Sequence, residues 1–449
     1  MMQYLRPLAV IRVKKPNKNV LIMKKLFFLA MTAAVLMGCK SNEPGEGERV
    51  IDMLPKTRFI ELTQSQKDFV NKNTDFSFNL FRAINQMPEG QKSNIISPIS
   101  VTYVLGMLND GAAGNTAKEI TSVLGFGENN KQAVNEFCQK LIKEAPETDP
   151  SVTLKIANTV ISNDYQQVRL APQYQSDMEN YYEAEVASLD FSNKTDALNH
   201  INGWCNDHTE GMIPKILNEN ELTKEALLLL MNAIYFKATW TDKFDANDTK
   251  DEAFTTEDGV QKTLPMMHRK ARAICGENDI YTILNLPYGS GDKWSMRVLL
   301  PKEGKTIDDV INSLNQESWQ EFSDMHSWEP PIVDIKIPRF STAFETDLKK
   351  PLSALGAPSM FDRKKAQFPN ISSNFNDIYV SLMKQKAAIE VNEEGTKASA
   401  VTVAVMGETA IGPIGKDMNI DFHCNRPFVY VIQEASSGTI FFLGTYRGE

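Results

Sequence analysis

Histidine and cysteine are scarce in this chain, and neither is spaced for catalysis or metal binding. Five histidines are spread over 449 residues: His200, His208, His268, His326 and His423. They form no His-Glu-x-x-His pair, and no Gly-x-Ser-x-Gly elbow supplies a nucleophile. His200 and His208 fall eight apart on one expected helix, not at the i, i+4 spacing that gathers metal ligands. A catalytic reading needs a nucleophile, a base and an orienting group. No such set is legible, so the chain reads as a non-enzyme with no cofactor and no metal. The five cysteines, Cys39, Cys138, Cys205, Cys275 and Cys424, contain no Cys-x-x-Cys. With Cys39 set aside, the other four allow three disulfide pairings and the sequence selects none, so free buried thiols are expected. A long Lys/Arg run is missing too, and the net charge of −9 argues against nucleic acid as the partner. The glycine string Asp110–Thr116 lacks the Gly-Lys-Ser/Thr of a phosphate loop. Low-complexity tracts and internal repeats are lacking, which leaves an ordinary globular protein, long enough for one large core or several domains.

The N-terminal region reads as an export signal. Met23-Lys24-Lys25 is followed by an apolar run, Leu26 to Met37, that is too short to span a bilayer as a helix. It ends in Leu36-Met37-Gly38-Cys39, which resembles the bacterial lipoprotein box. The resemblance implies cleavage before Cys39, a lipid on Cys39, and anchoring to the cell envelope, at the outer membrane or cell surface. A plain secretory signal or a buried helix are the competing readings. The expected layout is a leader and signal over 1–38, a tether over 39–58 containing Pro44, Gly45, Gly47 and Pro55, and the globular part over 59–449. Residues 1–22 read as an upstream mis-start or a long basic leader.

Within the domain, Phe76, Leu80, Phe81 and Ile84 recur at helical spacing. In Asn94-Ile95-Ile96-Ser97-Pro98-Ile99-Ser100, Ser97 suits an N-cap and Pro98 the first helical position. Val101, Val104, Leu105 and Leu108 make that helix's buried stripe, with Gly111 as its stop. The next helix is expected to open on a Thr116/Glu119 capping box and close at Gly125. The run Leu227 to Trp240 reads as a central strand buried on both faces. Phe428–Ile432 and Thr439–Leu443 read as a buried hairpin around Glu434–Gly438.

The most informative stretch is Ile389 to Pro427. Thr396, Ala398, Ala400, Thr402 and Ala404 alternate with Lys397, Ser399, Val401, Val403 and Val405. That is a period-2 strand pattern with one uniformly small face. Gly407, Gly412, Pro413 and Gly415 then break it into a loop. The bland reading is an ordinary hairpin arm.

Glu393-Glu394-Gly395-Thr396 with its small-residue run, and Asn425-Arg426-Pro427-Phe428 downstream, resemble the hinge and C-terminal strands of the serpins. Asn94 to Ser100, Asn232-Ala233-Ile234-Tyr235-Phe236-Lys237, Leu286-Pro287-Tyr288 and Pro338-Arg339-Phe340 resemble that family's strings in the same order. The resemblance covers about residues 60–449 and implies an α+β serpin fold: a single domain of three β-sheets surrounded by helices, with an exposed reactive-centre loop. It further implies a monomeric suicide-substrate inhibitor of serine proteases, with cysteine proteases as a second class. The loop is bait, and after cleavage it inserts as a strand into the main sheet. The hinge would be Glu393, Glu394, Gly395, Thr396, Ala398 and Ala400. The sheet would part around Asn94, Ser97, Pro98, Ser100 and Gln385. Roughly fourteen residues beyond Gly395, an extended span of ~45 Å, the reactive bond falls at Thr409–Ala410, with Met406, Glu408 and Lys416 competing. Threonine after Val403-Ala404-Val405 suits an elastase-like or broad-specificity protease. The chain departs from the family at Gln385, where many members have histidine, and at Lys397, where glutamate is common. The alternative is a non-inhibitory serpin-fold protein with a binding or chaperone-like role.

Overall fold

A computed structural model describes residues 57–127, 130–291, 293–323, 330–396 and 419–449. The chain divides at Leu54/Pro55, and every described element belongs to the unit Pro55–Glu449. Three sheets carry the fold. The most buried is six-stranded, in the order Asn94–Ile96, Ile440–Tyr446, Phe428–Glu434, Trp294–Pro301, Tyr281–Tyr288, Cys275–Glu277. A four-stranded sheet runs Asn419–His423, Ile332–Pro338, Gln261–Arg272, Lys250–Thr255. The third, which contains the hinge, runs Phe340–Asp347, Lys384–Asn392, Gly395–Thr396, Leu228–Thr239, Val152–Asn163, Ala184–Leu189. No helix among the described residues is long and apolar enough to cross a membrane.

The expected C-terminal hairpin is present as Phe428–Glu434 paired with Ile440–Tyr446, buried along its whole length. The apolar runs Phe428–Ile432 and Ile440–Leu443 within it are what a strand covered on both faces requires. Helix Gln64–Asn85 starts on a Thr63/Gln66 capping box and buries Phe76, Leu80, Phe81 and Ile84 on one side. Helix Pro98–Gly111 starts where the sequence places it. Ser97 is its N-cap, accepting from the Ser100 N–H at 3.4 Å, and Pro98 occupies the first turn. This helix packs between the strands Leu228–Thr239 and Ile440–Tyr446, so its N-terminus lies directly under the hinge sheet.

Three local expectations are corrected. Gly111 is the last helical residue but not a left-handed cap; Ala112 caps the helix. What glycine provides there is room, since a Cβ would meet Ile371 Cγ1 at 2.1 Å. The helix Gly114–Leu124 has no capping box, and Ala113 precedes it without a side-chain cap. Thr116 instead accepts from the Gln367 N–H at 3.0 Å, and Glu119 turns to the Ser359 N–H and hydroxyl. Tertiary partners outbid the local ones because both side chains face the segment 359–367. Gly125, at φ +83°, does close that helix. Finally, the run Leu227–Trp240 is a central strand, but Leu228 to Met231 are only half-buried, because they line a cleft.

All four cysteines among the described residues, Cys138, Cys205, Cys275 and Cys424, are free. Burial pushes the thiols of Cys205 and Cys275 up to about 11, and those of Cys138 and Cys424 higher still, so none is a thiolate at neutral pH.

Candidate functional site

The site is the gap in the middle of the hinge sheet and the short segment that bridges its upper end. Lys384–Asn392 is an antiparallel partner of Phe340–Asp347, in register from Phe340↔Val391 to Asp347↔Lys384. The chain then turns tightly. The Asn392 side-chain carbonyl accepts from the N–H groups of Glu394, at 3.0 Å, and Gly395, at 3.3 Å. Gly395 and Thr396 return between two strands, pairing with Asn392 and Val391 on one side and with Thr239 and Ala238 on the other. Gly395 has φ +150°, and a Cβ on it would meet the Ala238 carbonyl oxygen at 2.1 Å and Thr239 Cα at 2.7 Å. Only glycine combines that backbone angle with that approach.

Several side chains hold this bridge in place. Trp240 donates from Nε1 to the Asn392 carbonyl at 2.9 Å, and its backbone N–H donates to the Glu394 carbonyl at 2.9 Å. Its ring stacks on Tyr288, with centroids 4.4 Å apart and planes 10° apart. The Tyr288 hydroxyl lies 2.6 Å from the Thr396 hydroxyl in a fully buried contact. Glu393 takes a bidentate contact from Arg339 and a hydrogen bond from the Thr249 hydroxyl at 2.7 Å. Burial alone would raise the Glu393 carboxyl, but the bonds from Arg339 and Thr249 outweigh it and hold it below the ordinary range. Glu394, on the solvent side, pairs with Lys243.

Below the bridge the sheet is not closed. Among the described residues, the edge Lys384–Glu390 and the facing edge Leu228–Lys237 have no ladder pairing with each other. Between them lies a cleft of about 590 Å³, lined by Ser97, Ser100, Leu228, Leu230, Gln385 and Thr396, among others. Gln385 crosses to the helix beneath. Its carbonyl accepts from the Ser97 N–H at 3.0 Å and its amide donates to the Ser97 carbonyl at 2.8 Å. The glutamine amide presents its acceptor and its donor side by side, so one side chain meets both backbone groups of Ser97. At the lower end Lys384, almost wholly buried, joins Glu221 and Glu345 at 2.8 and 2.9 Å.

Of the residues singled out from sequence, Ser97, Ser100, Gln385 and Thr396 come together on the cleft, and Glu393, Glu394 and Gly395 form its upper bridge. Asn94 and Pro98 stand behind it. Asn94 is fully buried and donates to Asn85 and to the Gly90 carbonyl. Ala398, Ala400, Met406, Glu408, Thr409, Ala410 and Lys416, with Cys39, lie outside the described residues. Sequence reasoning missed Trp240, Tyr288, Arg339 and Lys384 as the residues holding the bridge and base. A tryptophan ending a long apolar run was the one available cue, because its indole N–H must find an acceptor when buried.

The family model described as Serpin (serine protease inhibitor) matches residues 71–447. The chain belongs to the serpin family. It is 32% identical over 363 residues to human glia-derived nexin, covering 78% of this chain and 86% of that one. It is 32% identical over 385 residues to human leukocyte elastase inhibitor, covering 83% of this chain and 97% of that one. The structure of human thyroxine-binding globulin complexed with its ligand superposes with a TM-score of 0.73 at 26% identity, over 85% of this chain and 98% of that one. The three-sheet architecture is therefore the serpin fold, and serpins are in general protease inhibitors rather than catalysts.

Proposed function

We propose that this serpin is a suicide-substrate inhibitor of serine endopeptidases, with cysteine endopeptidases as a second class, and that it traps the acyl-enzyme by drawing its cleaved loop into the hinge sheet. The observation that carries this reading is the pair of strand edges, Lys384–Glu390 and Leu228–Lys237, which among the described residues is bridged by Gly395–Thr396 and otherwise unpaired. A strand continuing downward from Thr396 would meet ladder partners on both sides. On the order of ten new hydrogen bonds at ~0.5–1.5 kcal/mol each would release roughly 5–15 kcal/mol. That matches the whole stability of a typical domain, ~5–15 kcal/mol, and is enough to deform an attached protease.

The bait bond in this reading is Thr409–Ala410, which suits an elastase-like or broad-specificity protease. The likeness to leukocyte elastase inhibitor leans the same way. We also propose that the mature chain begins at Cys39, carries lipid there and works at the bacterial cell envelope. The test is incubation with an elastase, a trypsin, a subtilisin and a Glu-specific protease. An SDS-stable adduct, a released peptide beginning at Ala410 and a large rise in melting temperature after cleavage are expected. A second reading, a serpin-fold binding protein, is favoured by the similarity to a thyroxine-bound globulin. It requires clean cleavage, no adduct and an unchanged melting temperature.

A further inference from the structure

In the four-stranded sheet, Ile332–Pro338 lies between Gln261–Arg272 and the edge strand Asn419–His423. The register sets Asp334 beside Lys270 and Asp421, and Lys336 beside His268 and His423. Residues two apart on a strand share a face, so these six side chains stand together. Asp334 is the hub. Its Oδ1 lies 2.6 Å from His268 Nε2, and its Oδ2 lies 3.2 Å from His423 Nε2. A carboxylate oxygen of Asp421 completes a trio with Asp334 and His423 whose donor atoms all lie within 4.8 Å of one another.

We propose that His423, Asp334 and Asp421 bind a divalent transition-metal ion of the zinc class, with His268 positioning Asp334. Two ligands at ~2.0–2.1 Å from one tetrahedral ion stand about 3.3 Å apart, which the His423–Asp334 separation already meets. His268 engages the other oxygen of Asp334, as the outer partner of a metal-bound carboxylate does. The neighbouring Lys336 is committed to both oxygens of Glu252, at 2.8 and 2.9 Å. Lys270 is exposed. Two carboxylates thus converge on one imidazole. Nitrogen among the donors selects zinc-class ions over magnesium and calcium, which take oxygen.

The site has a mechanical consequence. Among the described residues, Asn419–His423 is an edge strand whose one ladder partner is Ile332–Pro338. An ion held by His423 and Asp421 on one side and Asp334 on the other cross-links the two strands. It thereby fastens Asn419–His423 to the sheet near the start of the C-terminal strands. This holds whether or not the segment 397–418 is bait.

The test is calorimetric titration of the full chain, freed of metal, with zinc chloride, alongside melting curves in zinc and in chelator. One saturable site is expected, with a higher melting temperature in zinc. Asp421→Asn and His423→Gln should abolish both effects, and His268→Asn should weaken binding by about tenfold or more. Asp421 is exposed, so Asp421→Asn should melt like the parent in chelator, which separates lost binding from lost folding. Cys275→Ser should bind as the parent does. Absence of a saturable site, binding indifferent to Asp421→Asn and His423→Gln, or binding lost in Cys275→Ser would each overturn the assignment.

Discussion

Adding one methyl group to the hinge, as Gly395→Ala, should separate cleavage of this protein from trapping. The added Cβ would lie 2.1 Å from the Ala238 carbonyl oxygen, 2.7 Å from Thr239 Cα and 3.0 Å from the Ala238 carbonyl carbon. All three are backbone atoms of a strand paired along its other edge from Val152 to Ser162, so they cannot step aside. The backbone angle of φ +150° adds ~1–3 kcal/mol for any residue with a side chain. Strain and overlap together come to about 2–6 kcal/mol, the overlap being of the size seen for overpacked cores. Against this stand the ladder bonds of a two-residue strand and the Thr396–Tyr288 hydroxyl contact, each ~0.5–1.5 kcal/mol. The two are of similar size, so the variant's bridge is seated far less firmly than the parent's. Since 1.4 kcal/mol is a factor of ten, the yield of covalent adduct per cleavage should fall by about tenfold or more. Trp240 reports the seating directly, because its indole N–H bonds the Asn392 carbonyl and its ring stacks on Tyr288. The assays are adduct yield on denaturing gels and tryptophan emission of the uncleaved variant. A variant with parental emission and parental adduct yield would show that the bridge does not govern trapping.

Other perturbations test the same site. Gln385→Leu leaves the Ser97 N–H buried without an acceptor and should destabilise the uncleaved protein by ~1–3 kcal/mol, read as a lower urea midpoint at unchanged slope. Tyr288→Phe removes the buried bond to Thr396 and should cost ~0.5–1.5 kcal/mol in the same assay. Because the Glu393 carboxyl is held low when folded, its contribution is complete above the unfolded value of ~4.3 and is lost as pH falls through the lower folded value. Glu393→Gln should therefore flatten the acid limb of the stability profile, by no more than ~1 kcal/mol since Arg339 is half-exposed. An acid limb as steep as the parent's would place the lost protonation elsewhere.

What could be read from the sequence divides along a physical line. Local chemistry was legible. Ser97-Pro98 announces a helix start because a hydroxyl cap and a proline satisfy groups within four residues of each other. The C-terminal hairpin declares itself by two apolar runs around a turn. The hinge strings were legible as a family likeness. Competition between local and distant partners was not. Thr116 and Glu119 have the spacing of a capping box, yet Gln367 and Ser359, far along the chain, take both side chains. The cluster around Asp334 escaped for the same reason. His268 and His423 are far apart in the sequence, and only the register of three strands sets them beside one carboxylate.

The most instructive mismatch is the strand Leu228–Thr239. Its unbroken apolar run is the pattern of a strand covered on both faces and paired on both edges. In the fold it is paired along Val152–Asn163 but faces a cleft on the other side, with Leu228 to Met231 half-buried. Open edges are normally blunted with charge, proline or a bulge, because a row of free N–H and C=O groups recruits whatever strand is at hand. Along Leu228–Ala233 the sequence supplies none of these devices. The facing edge, Lys384–Glu390, is similarly unpaired along that side among the described residues, although its other side is fully laddered. A sequence suited to one more strand than the described residues supply is what a sheet needs if it is to accept one later. On the proposed reading, the part of this strand that departs from the sequence expectation is the part where the cleaved loop docks. The drive for trapping then resides in the sheet's unpaired edges, while Gly395, Trp240 and Tyr288 control when the loop reaches them.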